Sequence, residues 1–149
     1  MAGEKLEVRR TYAAPPEKIF RAWTDPEEVK QWFPPEGYEA ARTIIDLRPG
    51  GTYEWGLRKL PDGQPFCSTG TFIEIAAPRR LVYTWRWSGA SEADETLVTV
   101  EFAKRGSGTE IVIRHERFPN ADLRNQHKDG WILCLEQLSE FLKKKEEAR

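Results

Sequence analysis

The sequence predicts an α+β fold in which a curved antiparallel sheet of about seven strands wraps around a long C-terminal helix, with two short helices after the first strand. Three observations lead to this prediction. Apolar residues recur at helical spacing through residues 120–145. Apolar and polar residues alternate through most of residues 38–118, interrupted only by short turn-forming clusters. Between the first strand pattern and this region lie two short apolar segments that are bounded by prolines.

The composition suits one domain spanning residues 1–149, because a chain of this length can bury most of the surface that it exposes when unfolded. The 23 Lys and Arg residues nearly balance the 24 Asp and Glu residues, which removes the electrostatic case for binding nucleic acid or an anionic membrane. No apolar run is long enough to cross a membrane. Cys67 and Cys134 are too few and too far apart for a disulfide framework or a zinc motif, and no signal peptide is recognisable. We therefore expect a cytoplasmic protein.

The N-terminal quarter of the chain predicts one strand and two short helices. Apolar and charged residues alternate through part of residues 4–11, which indicates a strand with one solvent-exposed face. Asp25 is placed to cap the second helix, which begins with Pro26, and Pro34 and Pro35 stop it. The apolar patches of the two helices are formed by Ile19, Phe20 and Trp23 and by Val29, Trp32 and Phe33.

The alternating region predicts six further strands, at residues 38–47, 51–60, 66–75, 81–87, 96–104 and 109–118. Because the connections are short, these strands should form an antiparallel meander, with the first strand added at an edge. Alternation also places a largely aromatic set of side chains on one face, formed by Leu81, Tyr83, Trp85 and Trp87, by Tyr53, Trp55 and Leu57, and by Ile111, Ile113 and His115. Such a face needs a cover, which only the C-terminal helix can provide.

The C-terminal helix has an apolar stripe that fits this role, formed by Trp131, Cys134, Leu135, Leu138, Phe141 and Leu142. The other side of the helix carries Lys128, Asp129, Glu136, Gln137 and Glu140. Asn120 is placed to cap the start of the helix. Gly130 is unusual, because a glycine inside a helix costs about 1 kcal/mol relative to alanine. We interpret it as a response to backbone crowding by a bulky neighbour, in preference to a kink that opens a cavity.

Local motifs add a resemblance that covers nearly the whole chain. They are residues 20–26 (FRAWTDP), 32–33 (WF), 46–51 (DLRPGG), 78–81 (PRRL), His115 with Phe118, and 126–131 (QHKDGW). Together with the order of elements, they resemble the helix-grip fold of the START and birch-pollen-allergen (SRPBCC) superfamily. Within it, they look like the branch of homologues of the activator of the heat-shock protein 90 ATPase. This resemblance implies a cavity between the sheet and the long helix that takes hydrophobic or amphipathic small molecules.

The aromatic content supports a pocket of this kind. Six tryptophans, seven phenylalanines and four tyrosines provide more ring surface than a small core needs for filling alone. The alternative for any single ring is ordinary core packing. The candidate ligand-binding residues are Trp32, Phe33, Tyr53, Trp55, Phe72, Tyr83, Trp85, His115, His127 and Trp131.

His115 and His127 are the only histidines, and their positions allow them to face each other. One interpretation is a pair of polar or proton-transferring groups at the pocket. The other is a hydrogen-bonded core histidine and a solvated helix histidine. Related oxygenase domains bind iron with two histidines and a carboxylate, but the spacing here does not match, so no metal and no cofactor are expected. Cys134 reads as a small buried hydrophobe, and we assign no catalytic residue.

Three functions remain open at this stage. The first is binding of a hydrophobic or amphipathic small molecule without catalysis. The second is an enzyme resembling polyketide cyclases or hydrolases, in which the same cavity orients the substrate and a histidine moves protons. The third is an interaction module of the chaperone ATPase-activator type, with a chaperone as partner. The sequence leaves open whether the chain is a monomer or a homodimer.

Overall fold

The computed structural model describes residues 3–91 and 94–147 and contains, within them, one seven-stranded antiparallel sheet and three helices. The strands are β1 (Glu4–Tyr12), β2 (Tyr38–Ile45), β3 (Thr52–Lys59), β4 (Phe66–Ala76), β5 (Arg80–Trp87), β6 (Thr96–Arg105) and β7 (Gly108–Phe118). The helices are α1 (Pro16–Thr24), α2 (Pro26–Trp32) and α3 (Ala121–Glu147). The predicted α+β fold, with its long C-terminal helix and two short helices after the first strand, is confirmed.

The sheet has the strand order β1-β7-β6-β5-β4-β3-β2. Strands β2 to β7 therefore form the predicted meander, and β1 is added at the edge beside β7. Pairing aligns Leu6, His115, Val98, Tyr83 and Phe72 in one row across five neighbouring strands. All five side chains are buried, because this row lies on the face that α3 covers.

Irregular pairing shapes this sheet. The register shifts between Ala40 and Thr43 on β2, and again between Phe72 and Glu74 on β4. Opposite the first shift is Gly56, where a Cβ atom would lie only 2.2 Å from the carbonyl oxygen of Arg42. Bulges bend a strand and increase its twist, so these positions help the sheet to curve around α3.

Both predicted helix caps are confirmed. Asp25 Oδ1 accepts a hydrogen bond from the backbone N–H of Glu27 at 2.9 Å at the start of α2. Asn120 Oδ1 accepts one from the backbone N–H of Leu123 at 2.8 Å at the start of α3. Each cap satisfies a backbone donor that a helix start would otherwise leave unpaired. The predicted apolar stripe of α3 packs on the sheet, with Trp131, Leu135, Leu138 and Phe141 buried and Cys134 and Leu142 partly buried.

Trp23 of α1 lies where α1, the sheet and α3 meet. Its ring stacks on that of Trp131 with centroids 5.9 Å apart, and its Nε1–H donates to the Tyr83 hydroxyl at 3.1 Å. Its centroid is also 5.1 Å from that of Trp32 and 5.9 Å from that of Phe102. One hydrophobic cluster therefore joins the sheet to all three described helices.

The prediction that Gln137 lies on the exposed side of α3 was wrong. Its side chain is half-buried, and its Nε2 donates to the carbonyl oxygens of Trp32 at 2.8 Å and Phe33 at 3.1 Å. These carbonyls lie at the end of α2, where a helix leaves acceptors without partners. Gln137 thus fixes the end of α2 against α3.

None of the described helices combines the length and hydropathy needed to span a membrane. Cys67 and Cys134 are both free thiols. Within residues 3–91 and 94–147, no three side chains of His, Cys, Asp or Glu come together as a metal site requires.

Candidate functional site

A cavity of about 300 Å³ opens between α3 and the sheet, at the end where α2 stops. We call it the α3 groove. Its size lies at the lower end of the range for small-molecule sites. It is lined by Phe33, Pro35, Leu57, Trp85, Trp87, Gln126, His127, Gly130, Trp131, Leu133, Cys134 and Gln137.

A larger depression of about 680 Å³ lies on the opposite face of the sheet, where charged strand residues line it. Five of its charged residues pair with one another. Arg105 contacts Glu110 at 3.1 Å, Arg9 contacts Glu110 at 3.8 Å, and Arg114 contacts Glu101 at 2.6 Å. Because these paired groups are at least partly exposed and neutralise one another, the α3 groove is the stronger candidate site.

Gly130 forms part of the groove wall, and the interpretation of backbone crowding was wrong. Apart from the adjoining residues and the backbone of α3 itself, no atom lies within 4 Å of the position that a Cβ atom would take there. The helix continues through this residue from Ala121 to Glu147. The missing side chain therefore leaves a bare patch of helix at the opening of the groove.

Replacing Gly130 with alanine is expected to raise the free energy of unfolding by about 1 kcal/mol, because the helix gains a better former without a steric conflict. Urea denaturation of the variant measures this change. The matched control is Gly70→Ala on β4, where the added Cβ atom would lie 1.9 Å from the carbonyl oxygen of Thr84 and must destabilise the protein. A loss of stability in Gly130→Ala would contradict the open space seen at this position.

The structure divides the ten candidate ligand-binding residues into two groups. Four of them line the α3 groove: Phe33, Trp85, His127 and Trp131. The other six lie in the packed core and do not contribute to the groove wall: Trp32, Tyr53, Trp55, Phe72, Tyr83 and His115. Most of the aromatic excess thus packs against itself.

Eight of the lining residues were not among the candidates: Pro35, Leu57, Trp87, Gln126, Gly130, Leu133, Cys134 and Gln137. A signal for part of this set was present in the sequence. Gln126, Gly130, Cys134 and Gln137 recur at spacings of four, four and three, which places them on one face of α3. All four side chains on this face are small or uncharged, whereas a helix face that points fully into solvent usually carries charged side chains.

His115 is fully buried, and both of its ring nitrogens form hydrogen bonds. Trp131 Nε1–H donates to His115 Nδ1 at 3.0 Å, which leaves the ring proton on Nε2 to donate to Thr96 Oγ1 at 2.6 Å. Thr96 in turn donates to the carbonyl oxygen of Trp85 at 2.9 Å. Burial, with a smaller contribution from His127, holds the pKa of His115 well below its ordinary value. His115 is therefore a neutral bridge between the sheet and α3.

His127 faces His115, with ring centroids 5.4 Å apart. Its Nδ1 bonds to the carbonyl oxygen of Leu123 at 2.9 Å, so the ring proton lies on Nδ1 and the neutral ring has an acceptor lone pair on Nε2. Burial lowers the pKa of His127. The side chain is half-buried in the groove wall. It is therefore not the freely solvated helix histidine of the second interpretation given above.

The groove carries no formal charge at neutral pH. None of its lining residues is Asp, Glu, Lys or Arg. Of the titratable groups in its wall, His127 is kept neutral, and burial raises the pKa of the Cys134 thiol to about 12. A protonated thiol is a poor nucleophile. The arrangement can hold apolar and neutral polar groups, but it offers no counter-ion to a charged one.

The chain matches one protein-family model and is similar to several proteins of known structure. The family model described as activator of Hsp90 ATPase homolog 1-like protein matches residues 13–143. A crystal structure of a Chromobacterium violaceum protein has 29% identity and a TM-score of 0.80, over 91% of this chain and 95% of that chain. One from Nitrosomonas europaea has 28% identity and a TM-score of 0.79, over 95% of each chain. The AHSA1 protein from Silicibacter pomeroyi, at 22% identity, shares the fold with a TM-score of 0.81, over 95% of this chain and 99% of that chain. No curated protein matches the chain.

Proposed function

Because the chain belongs to the family of activator of Hsp90 ATPase homolog 1-like proteins, we propose that it binds a hydrophobic or amphipathic small molecule in the α3 groove. The family membership confirms the resemblance that the sequence motifs carry. The observation that most supports the proposal is the open space beside Gly130, in a wall built largely of rings and aliphatic side chains. Small-molecule sites combine such walls with a few polar groups. Here the polar groups are His127, Gln126 and Gln137.

A titration of the six indole N–H signals by NMR tests this proposal with a library of apolar and amphipathic compounds. We expect one class of compound to shift the signals of Trp85, Trp87 and Trp131, which line the groove, with saturation. The signals of Trp23 and Trp32, which lie in the packed core, should move less.

Variants at Gly130 make the test specific to the groove. Gly130→Leu places a side chain across the opening and is expected to weaken binding at least about tenfold, which corresponds to about 1.4 kcal/mol. Gly130→Ala adds a single methyl group and serves as the matched control that should retain binding. If Gly130→Leu binds as tightly as Gly130→Ala, or if no indole signal moves with any compound, the proposal is wrong.

The enzyme and chaperone hypotheses receive less support from the groove. Both ring nitrogens of His115 are held by Thr96 and Trp131, so the enzyme hypothesis is left with His127 as its proton carrier. The chaperone hypothesis requires an exposed apolar patch. Leu133 is one of six exposed large hydrophobic side chains in the described residues and the one among them that lines the groove, so ligand binding accounts for Leu133 alone. Backbone shifts caused by a chaperone fragment, without indole shifts, would favour the chaperone hypothesis instead.

A further inference from the structure

Two buried polar side-chain atoms in the described chain have no hydrogen-bond partner: Trp85 Nε1 and Ser68 Oγ. Trp85 is 4% exposed and is one of the residues that line the α3 groove, while its Nε1 atom is closed to solvent. Ser68 lies on the neighbouring strand β4, where it pairs with Trp87, two residues along β5 from Trp85. Buried polar groups in folded proteins are nearly always satisfied, so these two unpaired atoms require an explanation.

Three other buried indoles show how this core treats such a donor. Trp23 Nε1–H donates to the hydroxyl of Tyr83 at 3.1 Å, and Trp32 Nε1–H donates to the carbonyl oxygen of Ala22 at 2.8 Å. Trp131 Nε1–H donates to His115 Nδ1 at 3.0 Å. An indole N–H can only donate, so Trp85 requires an acceptor that the described chain does not supply.

We propose that the α3 groove selects an uncharged ligand with an acceptor oxygen at its inner end, which accepts a hydrogen bond from Trp85 Nε1–H. This inference rests on the proposed function and specifies the ligand. The apolar part of the ligand lies towards Gly130 and Leu133, because both are exposed while Trp85 is buried. The polar end therefore enters first, and it reaches the buried Trp85 Nε1 by displacing neighbouring side chains of the groove wall. Ketones, aldehydes, esters and ethers have the required oxygen.

The absence of charge in the wall explains why the ligand is neutral. A carboxylate or an ammonium group that enters the groove loses its water and meets no side chain of opposite charge among the lining residues. A neutral carbonyl loses far less hydration and gains the unpaired donor. The donor and the lack of charge are independent observations, and each excludes a different set of ligands.

Three probes of nearly equal shape separate these two requirements on the full chain. They are β-acetylnaphthalene, a neutral ketone; β-isopropenylnaphthalene, in which a CH₂ group replaces the oxygen; and β-naphthoate, an anion. We expect the ketone to bind about tenfold more tightly than either of the others, because only the ketone satisfies the buried donor without bringing a charge. In NMR spectra, the Trp85 indole proton should shift downfield with the ketone and not with the alkene.

Two matched variants locate the effect. Trp85→Phe removes the N–H donor and keeps an aromatic ring, so the preference for the ketone over the alkene should fall close to one. Trp87→Phe changes another tryptophan of the groove wall and should leave that preference intact. The comparison of indole shifts in the unchanged protein remains decisive if Trp85→Phe does not fold.

The outcomes distinguish this inference from the proposed function. If the alkene binds as tightly as the ketone, if naphthoate binds most tightly, or if Trp85→Phe keeps the preference, the inference is overturned while ligand binding in the groove stands. If none of the three probes binds while a compound of the wider library does, the inference is overturned and ligand binding in the groove stands; if no compound of either set binds, both fail.

Discussion

Replacing Trp23 with alanine is expected to lower the free energy of unfolding by about 3–5 kcal/mol. Trp23 is 1% exposed, stacks on Trp131 and donates a hydrogen bond to the Tyr83 hydroxyl. Alanine would leave a cavity where α1, β5 and α3 meet, and it would remove the donor to a buried hydroxyl. Urea denaturation followed by far-ultraviolet circular dichroism measures the loss.

Two further substitutions test the cause of this loss. Trp87 is a half-buried tryptophan at the end of β5, so Trp87→Ala is expected to cost less than half as much as Trp23→Ala. Trp23→Phe keeps most of the ring surface and should give an intermediate value. Equal losses in Trp23→Ala and Trp87→Ala would show that Trp23 does not hold the junction together.

Much of the fold could be predicted from the sequence because the responsible interactions are local. Short connections leave little choice other than antiparallel pairing of neighbouring strands, which is why the meander was predictable. The caps at Asp25 and Asn120 each involve residues only two or three positions apart. Alternation along β5 correctly placed Tyr83 and Trp85 on the face that α3 covers.

Alternation could not predict which rings on that face are covered by other elements and which line the groove. Trp55 and Trp85 point to the same side of the sheet, but α2 brings the rings of Trp32 and Phe33 to within 5.7 and 5.0 Å of the Trp55 ring. Trp55 is therefore core, while Trp85 remains part of the groove wall. One contact that holds the end of α2 comes from Gln137, which is more than a hundred residues distant in sequence from Trp32 and Phe33. Periodicity carries no information about such a contact.

Gly130 shows a second limit of sequence reasoning. A glycine inside a helix indicates that a side chain is unfavourable at that position. The sequence is the same whether the space around the missing Cβ atom is crowded by neighbours or left open for another molecule. Only the coordinates around the residue show that the space is open. The same holds for the unpaired N–H of Trp85, because the sequence contains six tryptophans and no local feature that separates them by hydrogen bonding.

Lowering the pH from about 6.5 to about 5 is expected to reduce the free energy of unfolding through His115. Burial and the neighbouring His127 hold the pKa of His115 well below the ordinary value of 6.5. In this window the unfolded chain takes up a proton at His115 more readily than the folded chain does, so the free energy of unfolding falls as the pH falls, with a limiting slope of about 1.4 kcal/mol per pH unit. The stability that the neutral, buried His115 ring contributes is fully present at pH values above the pKa of the unfolded chain and is lost as the pH falls below it. Urea denaturation at a series of pH values measures it.

Substitution by glutamine separates His115 from other titrating groups. His115→Gln removes the titrating ring, so the slope of stability against pH should flatten between about pH 6.5 and 5. His127→Gln should flatten it less, because His127 is only half-buried, although burial lowers the pKa of that ring in the same direction. The carboxyl of Glu101, whose pKa is lowered chiefly by its hydrogen bond to Arg114, acts mainly below its ordinary value of 4.5 and so lies outside the window. An unchanged slope in His115→Gln would show that the folded protein accepts a proton at this site, which its two hydrogen bonds to Thr96 and Trp131 argue against.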